Sequence, residues 1–215
     1  MNFAREPLNR VLNIAVFGSG RGSNFQALLT AMGRGEIHGA TIRVVISNNS
    51  AAGILAIARA NNIPAEHISE KKCPGDDAFV EQLLAALHRH EINFIVLAGY
   101  MKRVPQRVIT EFKNSIINIH PALLPKFGGQ GMYGMHVHEA VIAAHETWSG
   151  ATVHIVDEEY DRGAIVIQKK VAVEQNETAE TLAAKVLAIE HEIVPEAVRM
   201  FAEGKIRRLG TVVEN

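Results

Sequence analysis

A disulfide framework is excluded first, because the chain has one cysteine, Cys73, and so no internal partner for it. A charge excess is missing as well. Twenty-two lysines and arginines stand against 23 aspartates and glutamates, and a formal net charge of −1 gives no field for steering onto nucleic acid or an anionic membrane. Long apolar runs are absent: stretches such as Ile95 to Ala98 are far too short to cross a bilayer. Met1 to Arg10 lacks the apolar core of a secretory signal, so a cytoplasmic protein is expected. What is present is ordinary for a globular chain. At 215 residues, 47% hydrophobic and 21% charged, it can bury a core unaided, and any phosphate it binds must be held locally.

The apolar periodicity alternates between two repeats. Val11 to Phe17 reads as a buried strand, Gly18 to Asn24 as a glycine-rich turn, and Ser23 with Gln26 matches a capping box for a helix to about Met32. Thr41 to Ser47 is a second strand, Ala51 to Ala60 a helix, Asp76 to His90 another helix, and Phe94 to Ala98 a further strand. A loop from Gly99 to Pro105, a short helix and a strand from Ser115 to Ile119 follow. Strands and helices in this alternation predict an α/β fold, a Rossmann-like and mainly parallel sheet flanked by helices. Beyond Pro125 the pattern changes to a glycine-rich loop over Lys126 to Met135 and a helix near Val137 to Ala144. An antiparallel hairpin, Ala151 to Asp157 with Ala164 to Val173, precedes a long helix capped by Thr178 and reaching about Glu203, with a kink expected at Pro195. With no repeat or linker, one domain is expected over 1–215: an irregular extension at 1–10, a parallel βα part at 11–125, and loop, hairpin and C-terminal helix at 126–215.

Four constellations carry chemistry. Gly22, Ser23 and Asn24 would place backbone amides and a helix dipole at an anion, although a tight strand–helix turn needs glycine in any case. Ser23 stands where a dinucleotide fingerprint wants its third glycine, so that class is set aside. Asn118 and His120, two apart on a strand that Pro121 ends, project from one face into one space. There an amide could donate to an oxyanion beside an imidazole acid, or the pair could satisfy neighbouring loops. Asp161 sits in good turn chemistry, Asp161-Arg162-Gly163 with glycine taking positive φ, and would raise the pKa of His120 if the two meet. His136-Val-His138 with His145 raises a metal site, yet no carboxylate or cysteine stands at a diagnostic spacing, and no metal is expected.

Taken together these residues resemble the phosphoribosylglycinamide formyltransferase family. Ser19-Gly20-Arg21-Gly22-Ser23-Asn24 is similar to its phosphate loop, Leu97-Ala98-Gly99-Tyr100-Met101 to its folate-side loop, Asn118 to Pro125 to its catalytic strand, and Val156 to Gly163 to the hairpin carrying its aspartate. The four matches run colinearly between about Asn13 and Phe201. The resemblance implies the formyltransferase fold, with its C-terminal antiparallel hairpin and long helix. It also implies formyl transfer from 10-formyltetrahydrofolate, as cosubstrate, to the amine of glycinamide ribonucleotide in purine biosynthesis.

By the same resemblance Asn118, His120 and Asp161 are catalytic, with Asn118 and a protonated His120 stabilising the oxyanion. Gly22, Ser23, Asn24 and Glu190 bind the ribonucleotide. Met101, Lys102, Arg103, Val104, Val156, Asp157, Tyr160 and Asp161 line the folate pocket. Partners are then small-molecule substrates, without nucleic acid or membrane, for a monomer or homodimer. Lys102 departs from the arginine of many members and cannot copy a planar guanidinium. The arginine some members present before the third helix has no counterpart in Cys73 to Asp77, and the loop Lys126 to Met135 is longer than in compact members. The rivals are a 10-formyltetrahydrofolate hydrolase, a methionyl-tRNA formyltransferase and a silent nucleotide-phosphate binding module. The first two would be expected to carry an additional domain.

Overall fold

β-Branched and apolar runs alternating with helical stripes assemble into one seven-stranded sheet in the computed structural model, which describes residues 11–206. The irregular extension expected at 1–10 lies outside the described residues. The chain runs β1 (Leu12–Phe17), α1 (Ser23–Gly33), β2 (Ala40–Ser47), α2 (Gly53–Ala60), β3 (Ala65–His67), a 3₁₀ turn (Glu70–Lys72), α3 (Asp76–Arg89) and β4 (Phe94–Leu97). It continues through α4 (Gln106–Glu111), β5 (Ile116–His120), α5 (Met135–Ala143), β6 (Trp148–Ile155), β7 (Ile165–Ala172) and α6 (Ala179–Ala202).

The strand order is β3-β2-β1-β4-β5-β6-β7, with the first five strands parallel and β6 and β7 antiparallel. This is the Rossmann-like architecture with the C-terminal hairpin and long helix that the sequence predicts. The chain leaves β1 toward β2 on one side and later returns to β4 on the other, so the loops after β1 and β4 part at the carboxyl edge of the sheet. Such a switch point opens a crevice where ligands bind.

Period-two alternation sorts the strand residues onto two faces. One face packs Ile14, Val16, Ile117, Ile119 and Val153 beneath α1, α2 and α6, through Phe25, Leu28, Ile54, Leu55, Ile193 and Val198. The other packs Ala15, Phe17, Ile95, Leu97 and Ile116 beneath α3 and α4, through Phe79, Leu83, Leu87 and Val108. Burying a Leu, Ile or Phe side chain contributes roughly 1.5–3 kcal/mol, so these two layers hold the sheet rigid under the crevice.

Two local expectations are corrected. Ser23 is not an N-cap: α1 starts on it, and Gly22 precedes it at φ 86 with no side-chain cap. A Cβ at Gly22 would lie 2.8 Å from the Ile54 backbone, so both the left-handed angle and the close approach of α2 require glycine there. The capping box falls instead at Thr178 and Thr181, opening α6. The three-residue strand β3 was not anticipated. It carries no apolar alternation and exists by pairing with β2.

Candidate active site

The site grows from the parity of two neighbouring strands. On β5, Ile117 and Ile119 face the core, which turns Asn118 and His120 to the opposite face. On β6, Ala151, Val153 and Ile155 face the same core and turn Thr152 and His154 the other way. The antiparallel register sets Asn118 opposite His154 and His120 opposite Thr152. Four polar side chains thereby share one patch of sheet, at the carboxyl end of β5.

Thr152 is fully buried, and its hydroxyl organises the turn after His120. It donates to the Ala122 carbonyl at 2.6 Å and accepts from the Leu124 amide at 3.2 Å and from Gln168 Nε2 at 2.8 Å. The segment Pro121 to Pro125 is thus tied to β6 and β7, which holds the end of β5 in place.

Asp161 meets His120, as the sequence reading required. Its Oδ2 lies 3.6 Å from His120 Nδ1, its Oδ1 lies 3.4 Å from His154 Nε2, and Gly129 N–H donates to Oδ2 at 2.9 Å. His120 Nε2 donates to the Phe127 carbonyl at 2.7 Å. That carbonyl can only accept, so the neutral ring carries its lone pair on Nδ1, toward Asp161. Two acceptors facing each other explain why the approach stops at 3.6 Å.

The glycine-rich loop is anchored by this pair, at Phe127 through His120 and at Gly129 through Asp161. Asp161 itself takes φ 54, which aspartate tolerates in a turn. Gly163, expected to supply the positive φ, does not have one. It is glycine because a Cβ there would sit 1.8 Å from the Ile155 carbonyl oxygen.

The electrostatics depart from the expectation in one respect. Burial lowers the His120 pKa below its ordinary value, and Asp161 and the Phe127 carbonyl only partly push it back up. Asp161 acts with the predicted sign, but desolvation outweighs it, so burial disfavours the charged imidazole in the free protein. Burial also opposes ionisation of Asp161, yet the neighbouring His154 ring, the Gly129 amide and the charge interaction with His120 hold its pKa below the ordinary value.

At the other end of the cleft, the first amides of α1 have no intrahelical partners and no side-chain cap, the condition in which a helix start holds an anion. The Asn24 side chain is turned inward, with Nδ2 donating to Glu190 Oε2 at 2.6 Å, so this residue has its backbone rather than its amide group to offer. Burial raises the Glu190 pKa, partly offset by that hydrogen bond.

On the wall where the resemblance places the folate, Met101 and Tyr160 border the cleft and are 53% and 44% exposed, so a flat apolar ring could cover them. Arg103 ties the two walls together, its guanidinium 5.5 Å over the Tyr160 ring and its Nη2 donating to the Glu158 carbonyl at 3.0 Å. Lys102 pairs with Glu70 at 3.7 Å, and Val104 is buried in the layer under α3 and α4. Val156 and Asp157 complete this wall.

Every residue assigned in the sequence to catalysis, the ribonucleotide or the folate therefore borders one cleft of about 670 Å³. His136 is exposed at the start of α5, His138 is buried two residues on, and His145 is exposed beyond the helix end. Among the described residues no cluster of histidine, cysteine and carboxylate could hold a metal ion. The sequence reading missed His154, Thr152 and the Phe127 carbonyl. Their one signal was the polar alternation of Thr152 and His154 within an otherwise apolar strand.

Comparison with known proteins agrees with this geometry. The formyl transferase family model matches residues 12–198. A chloroplastic phosphoribosylglycinamide formyltransferase of Vigna unguiculata is 45% identical over 193 residues, covering 90% of this chain and 62% of that protein. The chain thus spans less than two thirds of that relative's length. The phosphoribosylglycinamide formyltransferase of Bacillus subtilis is 34% identical, with 86% of this chain and 92% of that protein aligned. Among solved structures, glycinamide ribonucleotide transformylase 1 of Symbiobacterium toebii superposes with a TM-score of 0.84 at 36% identity, covering 95% of this chain and 92% of the other.

Proposed function

The chain belongs to the formyl transferase family, and from that premise we propose that it transfers a formyl group from 10-formyltetrahydrofolate to the amine of glycinamide ribonucleotide. The observation that carries the reading is the convergence of Asn118, His120 and Asp161 on a single cleft, between an uncapped helix start and an apolar wall. The ribonucleotide's phosphate would lie at the amides of Gly22, Ser23 and Asn24, with Glu190 beside it. The folate would lie against Met101, Tyr160 and the segment Val156 to Asp161.

The substrate amine adds to the formyl carbon, and the carbonyl oxygen becomes an oxyanion that accepts from the Asn118 amide. His120, neutral at the outset, takes the proton the amine sheds at Nδ1 and becomes an imidazolium. Asp161 Oδ2, 3.6 Å away, then faces a donor instead of a lone pair, so the contact can tighten into a charge-assisted hydrogen bond. The imidazolium adds its charge to the stabilisation of the oxyanion. When the tetrahedral carbon collapses, the proton passes from His120 to the departing folate nitrogen, and His120 is neutral again.

The same reading has the chain act on small molecules in the cytoplasm, as one formyltransferase domain in a monomer or homodimer. Its near-balanced charge suits that role, and no helix among the described residues is long and apolar enough to cross a membrane. The deciding experiment is incubation with 10-formyltetrahydrofolate, with and without glycinamide ribonucleotide. Formylated ribonucleotide is expected. Folate turnover independent of the amine would make the protein a hydrolase, and no turnover in either tube would make it a silent binding module.

A further inference from the structure

Asn118 stabilises an oxyanion only if its amide N–H points into the cleft, and a terminal amide is free to rotate by half a turn and present its carbonyl oxygen instead. What fixes the amide is found on the opposite strand. His154 is 2% exposed, and its Nδ1 lies 2.9 Å from the Ile155 carbonyl oxygen. A carbonyl accepts and cannot donate, so Nδ1 carries hydrogen. In the neutral ring that leaves Nε2 as an acceptor, and the Asn118 Nδ2 donor stands 3.1 Å from it.

We infer that His154 is a positioning residue for the proposed transfer: its Nε2 accepts one N–H of the Asn118 amide and thereby aims the second N–H into the cleft. A buried imidazole locked by a backbone carbonyl gives the amide one favourable orientation. Rotating Asn118 would set its oxygen against the Nε2 lone pair, two acceptors in contact, and would lose the hydrogen bond as well.

The cross-strand pairing makes this arrangement rigid, because Asn118 and His154 are direct partners in the β5–β6 register. The groups facing His154 are Asp161, whose Oδ1 stands 3.4 Å from Nε2, His120, which couples to it electrostatically, and Asn118 itself. Asp161 offers the competing arrangement. A proton on Nε2 would turn the imidazole into a donor toward the carboxylate, and Asn118 would then have to present its oxygen to the ring and withdraw its N–H from the oxyanion position. His154 therefore acts on the reaction through Asn118, without touching the reacting atoms.

The inference rests on the formyl-transfer reading, so its test has one arm that needs no turnover. In the free protein with ¹⁵N-labelled histidine, the His154 resonances should show Nδ1 protonated and Nε2 bare, and Asn118→Ala should shift the Nε2 signal. A protonated Nε2, or a signal indifferent to Asn118→Ala, overturns the proposal.

In the kinetic arm, His154→Phe fills the space without an acceptor. It should lower kcat by about tenfold, the effect of one neutral hydrogen bond, while leaving both KM values nearly unchanged. His154→Gln, which restores an acceptor, should recover part of the loss and also serves if the phenylalanine variant does not fold. In an Asn118→Ala background the His154 substitutions should cost nothing further. Losses that multiply would show that His154 acts elsewhere and sink the inference. A wild-type chain that transfers no formyl group would sink the functional reading instead, with the nitrogen spectrum still deciding the hydrogen bond.

Discussion

Asn118 and Glu190, a half-buried and a buried polar group at two ends of one cleft, have different parts in the proposed transfer. In the proposed transfer Asn118, held by its neighbour, directs a donor at the position where charge develops, so its removal should appear in turnover and little in affinity. Asn118→Ala is expected to lower kcat by about 10²–10³, the usual loss for one oxyanion donor, measured by steady-state kinetics with both substrates saturating. A turnover within twofold of wild type would remove Asn118 from the mechanism. Glu190 is 9% exposed, and burial raises its pKa above the ordinary 4.5. A group whose folded pKa is raised stabilises the fold fully below its unfolded value and loses that contribution as pH rises through its folded value, so burying this carboxyl costs stability toward neutral pH. Glu190→Gln is therefore expected to raise the thermal midpoint at pH 7, to lose that advantage at pH 4, and to raise the KM for the ribonucleotide. The sequence disclosed both residues to different degrees. Asn118 and His120 were legible as a pair because strand parity needs no tertiary information. Glu190 was reached through resemblance alone, since nothing local to α6 marks a buried carboxylate as different from a surface one.

At the scale of elements, the site depends on the β5–β6 register and on the turn that follows β5. Thr152 joins them, with its hydroxyl in three hydrogen bonds at a position with no solvent access. Thr152→Val keeps the shape and leaves the Leu124 amide and Ala122 carbonyl without this partner, at a cost of about 1–3 kcal/mol for a buried polar group left unsatisfied. The turn carrying His120 into Pro121 would also loosen. Urea denaturation should show that loss of stability, and kcat should fall more than either KM rises; an unchanged kcat would mean that the turn holds its shape without the hydroxyl. Register is also where the sequence fell silent. Both strands were located in the sequence, β6 three residues late at its start and two too far at its end, but which residue of β6 faces Asn118 is decided by how two distant segments slide against each other, and a one-residue slip would have placed Val153 there. His154 was missed for that reason. The capping box at Ser23 failed for a related one: the local pattern was present, but close packing of α2 on Gly22 set the helix start. Gly163 was recognised as a required glycine for the wrong reason, because the approach of the Ile155 carbonyl is a contact between hairpin strands and not a property of the turn.

The molecule as a whole brings several titratable groups into a sheet-and-helix body that disfavours charge, and its stability should record this. His120, His138 and His191 all have pKa values lowered from the ordinary 6.5, burial being the largest cause in each case, with the neighbouring His120 adding to it for His138. In the unfolded chain each returns to about 6.5. Between that value and the lower folded ones, the unfolded state binds protons that the folded state refuses, so stability rises with pH across this window and falls as the solution is acidified. Well above pH 6.5 all three are neutral in both states, and the contribution is full and flat. Asp161, lowered from 3.8, adds in the same direction further down, its stabilisation being present above 3.8 and lost as pH falls through its folded value. Glu190 opposes them, losing stability as pH rises above 4.5 toward its raised folded value. The thermal midpoint should therefore change little between pH 8 and 7 and drop steadily from pH 6.5 toward 5, before the carboxylates contribute. His138→Gln, which removes one buried imidazole outside the proposed proton path, should reduce the steepness of that drop. A wild-type midpoint that stays level from pH 7 to 5, or a His138→Gln profile parallel to it, would show that the folded protein accepts these protons without penalty and that the buried imidazoles reach solvent more readily than their packing indicates.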